Sequence, residues 1–254
     1  MAAPELSIQG RIAVLTLRRP EVANRLELSD LAAMQQHLAR VNAMDEVMVL
    51  RLRGEGRHFC SGFNIGQVGG EGVGATAGAR FEALAELLSN ARPATIAEVH
   101  GGVYGGATDL ALACDFRLGT TASEMQVPAA RLGLLFYRGG MQRYVSRLGL
   151  QTARRVLLLA EKLDGEQMLA CGFLDRLLVS EAALRAEADA MSATLAAMAP
   201  LALLGMKKHL NGIADGAVDV EQVVRDIARA DASSDLREGA LAWQQKRAPV
   251  FTGR

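Results

Sequence analysis

Three things are scarce in this 254-residue chain, and each scarcity excludes a class of function. There is no charge imbalance: Lys and Arg together number 28, as do Asp and Glu. A neutral chain has no field to draw a polyanionic helix or an acidic membrane surface, so nucleic acid and membrane are excluded as partners. No uninterrupted apolar run approaches the roughly 20 residues that span a bilayer, and Met1-Ala2-Ala3-Pro4-Glu5 lacks the basic, apolar and cleavable pattern of an export signal. A cytoplasmic protein is therefore expected. Cysteines number three, Cys60, Cys114 and Cys171, an odd count without metal-ligand spacing. They read as reduced thiols, and no metal site is expected.

What is present is an alternation of strand-like and helix-like segments over the first two thirds, followed by an almost wholly helical remainder. Ile12 to Leu17 reads as a strand, and Leu28, Leu31, Met34, Leu38 and Val41 then recur at helical steps on one apolar face. Val47 to Leu52 followed by a helix around Phe81 to Asn90 repeats the unit, and Thr95 to Val99 with a helix from about Gly106 repeats it again. Short strands at Phe116 to Leu118 and Met125 to Val127 precede helices at about Met141 to Leu148, Gln151 to Ala160 and Gly165 to Ala170. From Glu181 onward the chain reads as helical, with turn signals at Pro200, Gly212 and Gly216. The pattern alone gives an α/β architecture with an all-α tail.

Two glycine-bearing stretches stand out, His58-Phe59-Cys60-Ser61-Gly62-Phe63-Asn64-Ile65 and His100-Gly101-Gly102-Val103-Tyr104-Gly105-Gly106-Ala107-Thr108-Asp109. Each follows a strand-like run, and the second opens a helix. Glycine allows close backbone approach, and a helix N-terminus presents free N–H groups with partial positive charge. Two such turns facing each other can stabilise a developing oxyanion. Glycine turns after strands are also ordinary structural punctuation.

Both stretches resemble, in order and separation, the two oxyanion-hole segments of the crotonase (enoyl-CoA hydratase/isomerase) superfamily. Further likeness lies in Arg19-Pro20 through Asn24, Cys114-Asp115, Val127-Pro128 through Leu132-Gly133, Gly139-Gly140-Met141-Gln142-Arg143 and Lys246-Arg247-Ala248-Pro249-Val250-Phe251, so the resemblance covers essentially the whole chain. It implies a spiral of ββα units over residues 1–195 carrying an acyl-CoA site, and a C-terminal helical region, 196–254, that packs trimers or dimers of trimers. Coenzyme A would arrive as part of the substrate, with no separate cofactor.

The resemblance assigns the hole to the N–H groups of Phe63 and Gly106, Phe63 standing where relatives have a small residue and so narrowing the pocket. Hydratases of the family use two glutamates, which fall here on Asp109 and Ala129. The aspartate is one methylene shorter, about 1.5 Å, and the alanine carries no proton, so simple hydration is in doubt. Tyr137 occupies the place of a catalytic aspartate in dienoyl-CoA isomerases; it reads either as a proton donor or as a rim aromatic with its hydroxyl in water. Glu98 and His100, two apart on one strand, are expected to form a structural pair, and Cys60 an unactivated thiol. Contacts to coenzyme A fall on Asn24, Arg25 and Leu26, on Ser61, Gly62 and Ile65, and, from a neighbouring subunit, on Trp243 and Lys246, which read otherwise as a solvated helix end with a packed indole. The glycine-rich run 67–75 reads as a lid. The expected activity is of the hydratase/isomerase type, with malonyl-type decarboxylation and a catalytically weak acyl-CoA binder as alternatives.

Overall fold

The computed structural model describes residues 2–67 and 73–254, the side chains of 73–76 excepted. The chain runs β1 (Glu5–Gln9), β2 (Ile12–Leu17), α1 (Leu28–Asn42), β3 (Val49–Gly54), α2 (Val73–Ser89), β4 (Ala94–Val99), β5 (Gly102–Tyr104), α3 (Gly106–Ala113), β6 (Phe116–Thr120) and β7 (Glu124–Gln126). It continues through α4 (Arg138–Leu158), β8 (Leu163–Asp164), α5 (Gly165–Ala170), β9 (Arg176–Leu178), α6 (Glu181–Ala196), α7 (Pro200–Ala214), α8 (Val220–Asp231) and α9 (Ser234–Gln245). Six strands form the main sheet in the order β1-β2-β3-β4-β6-β9, antiparallel at β1 and parallel thereafter. The other three, β5-β7-β8, make a small second sheet.

The parallel strands are apolar on both faces, as expected where helices cover a sheet. Every residue of β4 is buried. On one side α1 lays down Leu31, Met34, Leu38 and Val41, each at most 1% exposed, and each such side chain stabilises the fold by roughly 1.5–3 kcal/mol. On the other side α6 brings Leu184, Ala188 and Leu195 against Met48, Val49, Ile96 and Leu118. The helical tail then turns sharply, α6 and α7 meeting at 109°. No single helix among the described residues is long and apolar enough to cross a membrane.

Several expected boundaries move. The second strand runs two residues later than its apolar core suggests. The helix around Phe81 begins at Val73, inside the glycine-rich run, of which 68–72 lie outside the described residues. The two helices expected between Met141 and Ala160 join end to end across Gly149, whose φ of 77° and ψ of 157° break the helical path. Gly212 does not turn the chain but sits within α7, whereas Gly216, at φ 67°, does. Strands β1, β8 and β9 carry no sequence signal strong enough to register, because β8 and β9 are two and three residues long and β1 alternates polar residues on an exposed edge.

Candidate active site

The parallel strands of the main sheet point their C-terminal ends toward the two glycine-bearing segments, and main-chain pairing holds those segments side by side. Phe59 N–H donates to His100 O at 2.9 Å, Cys60 N–H to Gly102 O at 3.3 Å, and Tyr104 N–H to Cys60 O at 3.0 Å. On the outer flank Leu26 pairs with Phe63: Leu26 N–H donates to Gly62 O and Asn64 N–H to Leu26 O, both at 2.9 Å. In a parallel pair the amide of the opposed residue itself faces the other way, so Phe63 N–H points away from Leu26. Gly62 has φ 89°, and a Cβ built on it would lie 2.7 Å from Tyr104 O and 3.3 Å from Gly106 N. Only glycine fits there.

Gly105 takes φ 54° and ψ −129°, a conformation closed to side chains, and anchors its own N–H on Gln126 O at 2.9 Å. Gly106 is then the first residue of α3, where an N–H has no intrahelical acceptor. Among the described residues neither Phe63 N–H nor Gly106 N–H has a hydrogen-bond partner. Asn24 is the tie beneath: its Oδ1 accepts from Arg19 N–H at 2.8 Å, and its Nδ2 donates to Glu55 O at 2.8 Å and His58 O at 2.9 Å.

Asp109, one turn into α3, is fully buried and held by three hydrogen bonds from two side chains. Arg143 of α4 grips it with both arms, Nε to Oδ1 at 2.8 Å and Nη2 to Oδ2 at 2.7 Å, and Tyr137 Oη donates to Oδ2 at 2.6 Å. The third guanidinium nitrogen, Nη1, reaches Glu86 of α2 at 2.7 Å. Nearby Glu82 accepts from Gly139 N–H at 2.9 Å, which fixes the start of α4. Burial first, then the Asp109 charge and hydrogen bond, push the Tyr137 phenol well above its ordinary value, so it stays protonated. The reading of Tyr137 as a rim aromatic with a wet hydroxyl is thereby corrected. Ala129 sits nearly buried in a short 3₁₀ turn, Ala129–Leu132, and presents no acid.

An aromatic wall joins these parts. The Phe81 ring rests on Gly106, with Cζ 2.7 Å from where a Cβ would be. It meets Phe63 edge-on at 6.2 Å and Tyr137 at 6.0 Å, and Tyr137 stacks on Phe136 at 4.8 Å. Neither Phe81 nor the pairing of Arg143 with Asp109 was legible beforehand. The Gly-Gly-x-x-Arg spacing marked Arg143, but nothing in a sequence names its partner.

Of the residues assigned to coenzyme A, Asn24, Leu26 and Gly62 are buried, main chain included, and their main-chain groups are paired within the protein: Asn24 O accepts from Cys60 Sγ, Leu26 N–H donates to Gly62 O, and Leu26 O accepts from Asn64 N–H. Ser61 Oγ donates to Val22 O at 3.2 Å, while Arg25 pairs with Glu27 and Ile65 is 51% exposed. Trp243 is 87% exposed, which overturns the packed-indole alternative, and Lys246 caps α9 in the left-handed region at φ 51°. Glu98 and His100 do not pair with each other: Glu98 accepts from Arg51 Nε at 2.7 Å, and His100 Nε2 bonds Gly56 O at 2.9 Å. Burial raises the Cys60 thiol to about 12, which leaves it inert. A cavity of about 820 Å³ lined by Arg11, Arg92, Lys207 and Arg229 opens at the other end of the strands, away from the unpartnered amides.

Comparison with known proteins finds similar sequences and folds over nearly the whole chain. The sequence model of the enoyl-CoA hydratase/isomerase family matches residues 7–254. A probable enoyl-CoA hydratase of Rhodobacter capsulatus is 29% identical, with 97% of this chain and 96% of that protein covered. The peroxisomal Delta(3,5)-Delta(2,4)-dienoyl-CoA isomerase of Arabidopsis thaliana is 26% identical over 93% of this chain and 91% of its own. A crystal structure of a family protein from Hyphomonas neptunium superposes with a TM-score of 0.93 at 25% identity, covering 100% of this chain and 98% of the other.

Proposed function

The chain belongs to the enoyl-CoA hydratase/isomerase family, and from that premise we propose that it stabilises a thioester enolate between the Phe63 and Gly106 N–H groups. The observation that carries this reading is the closeness of the two turns, with Gly106 N only 3.3 Å from where a Cβ on Gly62 would lie, and both donors left unpartnered among the described residues. A pair of aimed amides contributes roughly 3 kcal/mol per donor once charge develops on the thioester oxygen. The substrate is an acyl-CoA thioester. Arg25, Ser61 and Ile65, the partly exposed members of the set assigned to coenzyme A, line its approach.

Proton transfer falls to Tyr137 and Asp109 acting together. In isomerisation of a 3-enoyl thioester the α-proton passes to Tyr137 Oη as the phenol proton moves onto Asp109 Oδ2. The electron pair shifts toward the γ-carbon, which takes its proton back along the same path, and the pair is restored. Addition of water needs a second acid/base group, and Ala129 supplies none. One observation favours a second reading: both Asp109 oxygens are occupied by Arg143 and Tyr137. Decarboxylation of a malonyl-type thioester needs no base. The C–C bond electrons collapse into the enolate, carbon dioxide leaves, and Tyr137 Oη passes its proton to the α-carbon and takes one back from water.

The exposed apolar face of α8, Val220, Val224 and Ile227, with Met206, Leu210 and Ile213 of α7, supports self-association, with Trp243 and Lys246 offered to a neighbour's nucleotide. The trimer and the cytoplasmic location belong to this proposal. The test is turnover of crotonyl-CoA, a 3-enoyl-CoA and malonyl-CoA by wild type, Asp109→Asn and Ala129→Glu. Isomerisation or decarboxylation is expected to exceed hydration, Asp109→Asn to lose about 10²-fold or more of the isomerase rate, and Ala129→Glu to gain hydration. Full turnover in Asp109→Asn would remove Asp109 from the chemistry. A wild type that binds thioesters without turning any over would leave only the acyl-CoA binder.

A further inference from the structure

The aromatic wall sets a limit on the acyl group. Resting on the enolate reading above, we infer that Phe81 closes the acyl pocket immediately beyond the two donor amides, so that the site accepts short acyl thioesters, of about four carbons or fewer, and rejects longer ones.

The argument is steric. A thioester oxygen held by Phe63 N–H and Gly106 N–H leaves the acyl chain to run past those residues if, on the enolate reading, the coenzyme arm approaches from the side of Leu26, which pairs with Phe63. On the far side Phe81 lies across Gly106, with Cζ and Cε1 2.7 and 2.8 Å from a Cβ built there. Phe63 and Tyr137 abut the Phe81 ring at centroid distances of 6.2 and 6.0 Å. Carbon atoms in contact sit about 3.5–4.0 Å apart, so a methylene chain threaded between two rings needs about 7 Å or more between the atoms on either side. Rings whose centroids are only 6 Å apart are already touching. Past Tyr137 the wall continues: Phe136 stacks on it at 4.8 Å, and both rings pack on Gly140, where a Cβ would run into Phe136 Cε1 and lie 2.9 Å from Tyr137 Cε2.

Phe81 is also 3% exposed and fixed within the main core, with Leu84, Ala85 and Leu88 of the same helix packed beneath it. Swinging the ring aside to admit a chain would empty its place in that core, which close packing resists. Phe81 thus acts as a specificity residue that reads chain length by exclusion, while Tyr137 and the donor amides do the chemistry.

The experiment is calorimetric titration of the full-length protein with acetyl-, butyryl-, octanoyl- and dodecanoyl-CoA, with free coenzyme A as reference, on wild type, Phe81→Ala and Phe81→Leu. Wild type is expected to bind butyryl-CoA at least about tenfold tighter than octanoyl-CoA. Each methylene that finds an apolar place tightens binding about fourfold, so Phe81→Ala should reverse the preference, favouring octanoyl-CoA over butyryl-CoA by on the order of tenfold or more. Phe81→Leu keeps the core filled and carries the test if the alanine variant melts early by circular dichroism; it should relax the discrimination in the same direction. Octanoyl-CoA bound as tightly as butyryl-CoA by wild type overturns the length limit while leaving the enolate reading intact. An unchanged ratio in both variants overturns the assignment to Phe81. Acyl-CoA bound no better than coenzyme A at every length overturns both readings.

Discussion

Replacing Arg143 by methionine tests the ion pair on which the candidate site is built. Arg143 and Asp109 have side chains 5% and 0% exposed and share two hydrogen bonds of 2.7 and 2.8 Å. Methionine keeps most of the apolar volume but supplies no donor, which leaves a buried carboxylate with Tyr137 Oη as its remaining side-chain partner. Glu86 also loses a contact, but its side chain is 45% exposed and rehydrates at little cost. Removing one partner of a buried pair costs about 3–5 kcal/mol. At an unfolding entropy of about 2.1 cal/mol/K per residue, a chain of this length loses about 2 °C per kcal/mol, so the melting temperature should fall by about 6–10 °C. Removing the carboxylate as well, in Asp109→Leu/Arg143→Met, should recover most of the loss, because an apolar pair of similar volume needs no solvation. The assay is urea unfolding of wild type, both single variants and the double variant. A coupling energy of about 2 kcal/mol or more is expected, and one below about 0.5 kcal/mol would refute the view that Arg143 holds Asp109 as a buried ion.

Two other outcomes follow from the tail. Glu238 is held well down, at about 2, first by the Arg247 hydrogen bond and then by Val250 N–H. Its folded value lies below the unfolded one of 4.5, so its tether is fully present above about pH 4.5 and is lost as pH falls toward 2. Trp243, the single tryptophan, lies on the same helix, and its fluorescence should change over that window in wild type and not in Glu238→Gln; an identical profile in the variant would dismiss the tether. Val224→Glu/Ile227→Glu places two charges on the exposed apolar face of α8 and should convert the proposed oligomer to monomer by light scattering after gel filtration, whereas an unchanged mass would rule that face out as the interface.

Much of the site was readable because the constraints that shape it are local. Gly62 and Gly105 are demanded by positive φ values at single turns, and such demands are written into residue type. The helix from Leu28 and the strand from Ile12 announce themselves by period. By contrast, Asn24 was read as flanking coenzyme A, yet its side chain is spent on tying residues 19–26 to residues 55–59. Glu98 and His100 look like natural partners at a spacing of two, but Arg51 on the adjacent strand reaches Glu98 first. In both cases the deciding partner lies more than thirty residues away.

The sequence by itself determined most of the bends and which helix faces turn inward, since those properties depend on each residue's own conformational limits and its near neighbours, and its family resemblance pointed to the amides of two glycine turns. Only the tertiary structure decided what surrounds those amides. Whether Asp109 is free or clamped, whether Tyr137 faces water or a carboxylate, and whether Phe81 fills the space beyond Gly106 all depend on how α2, α3 and α4 close on one another. Close packing of side chains from distant helices fixes that arrangement, and no short-range pattern encodes it.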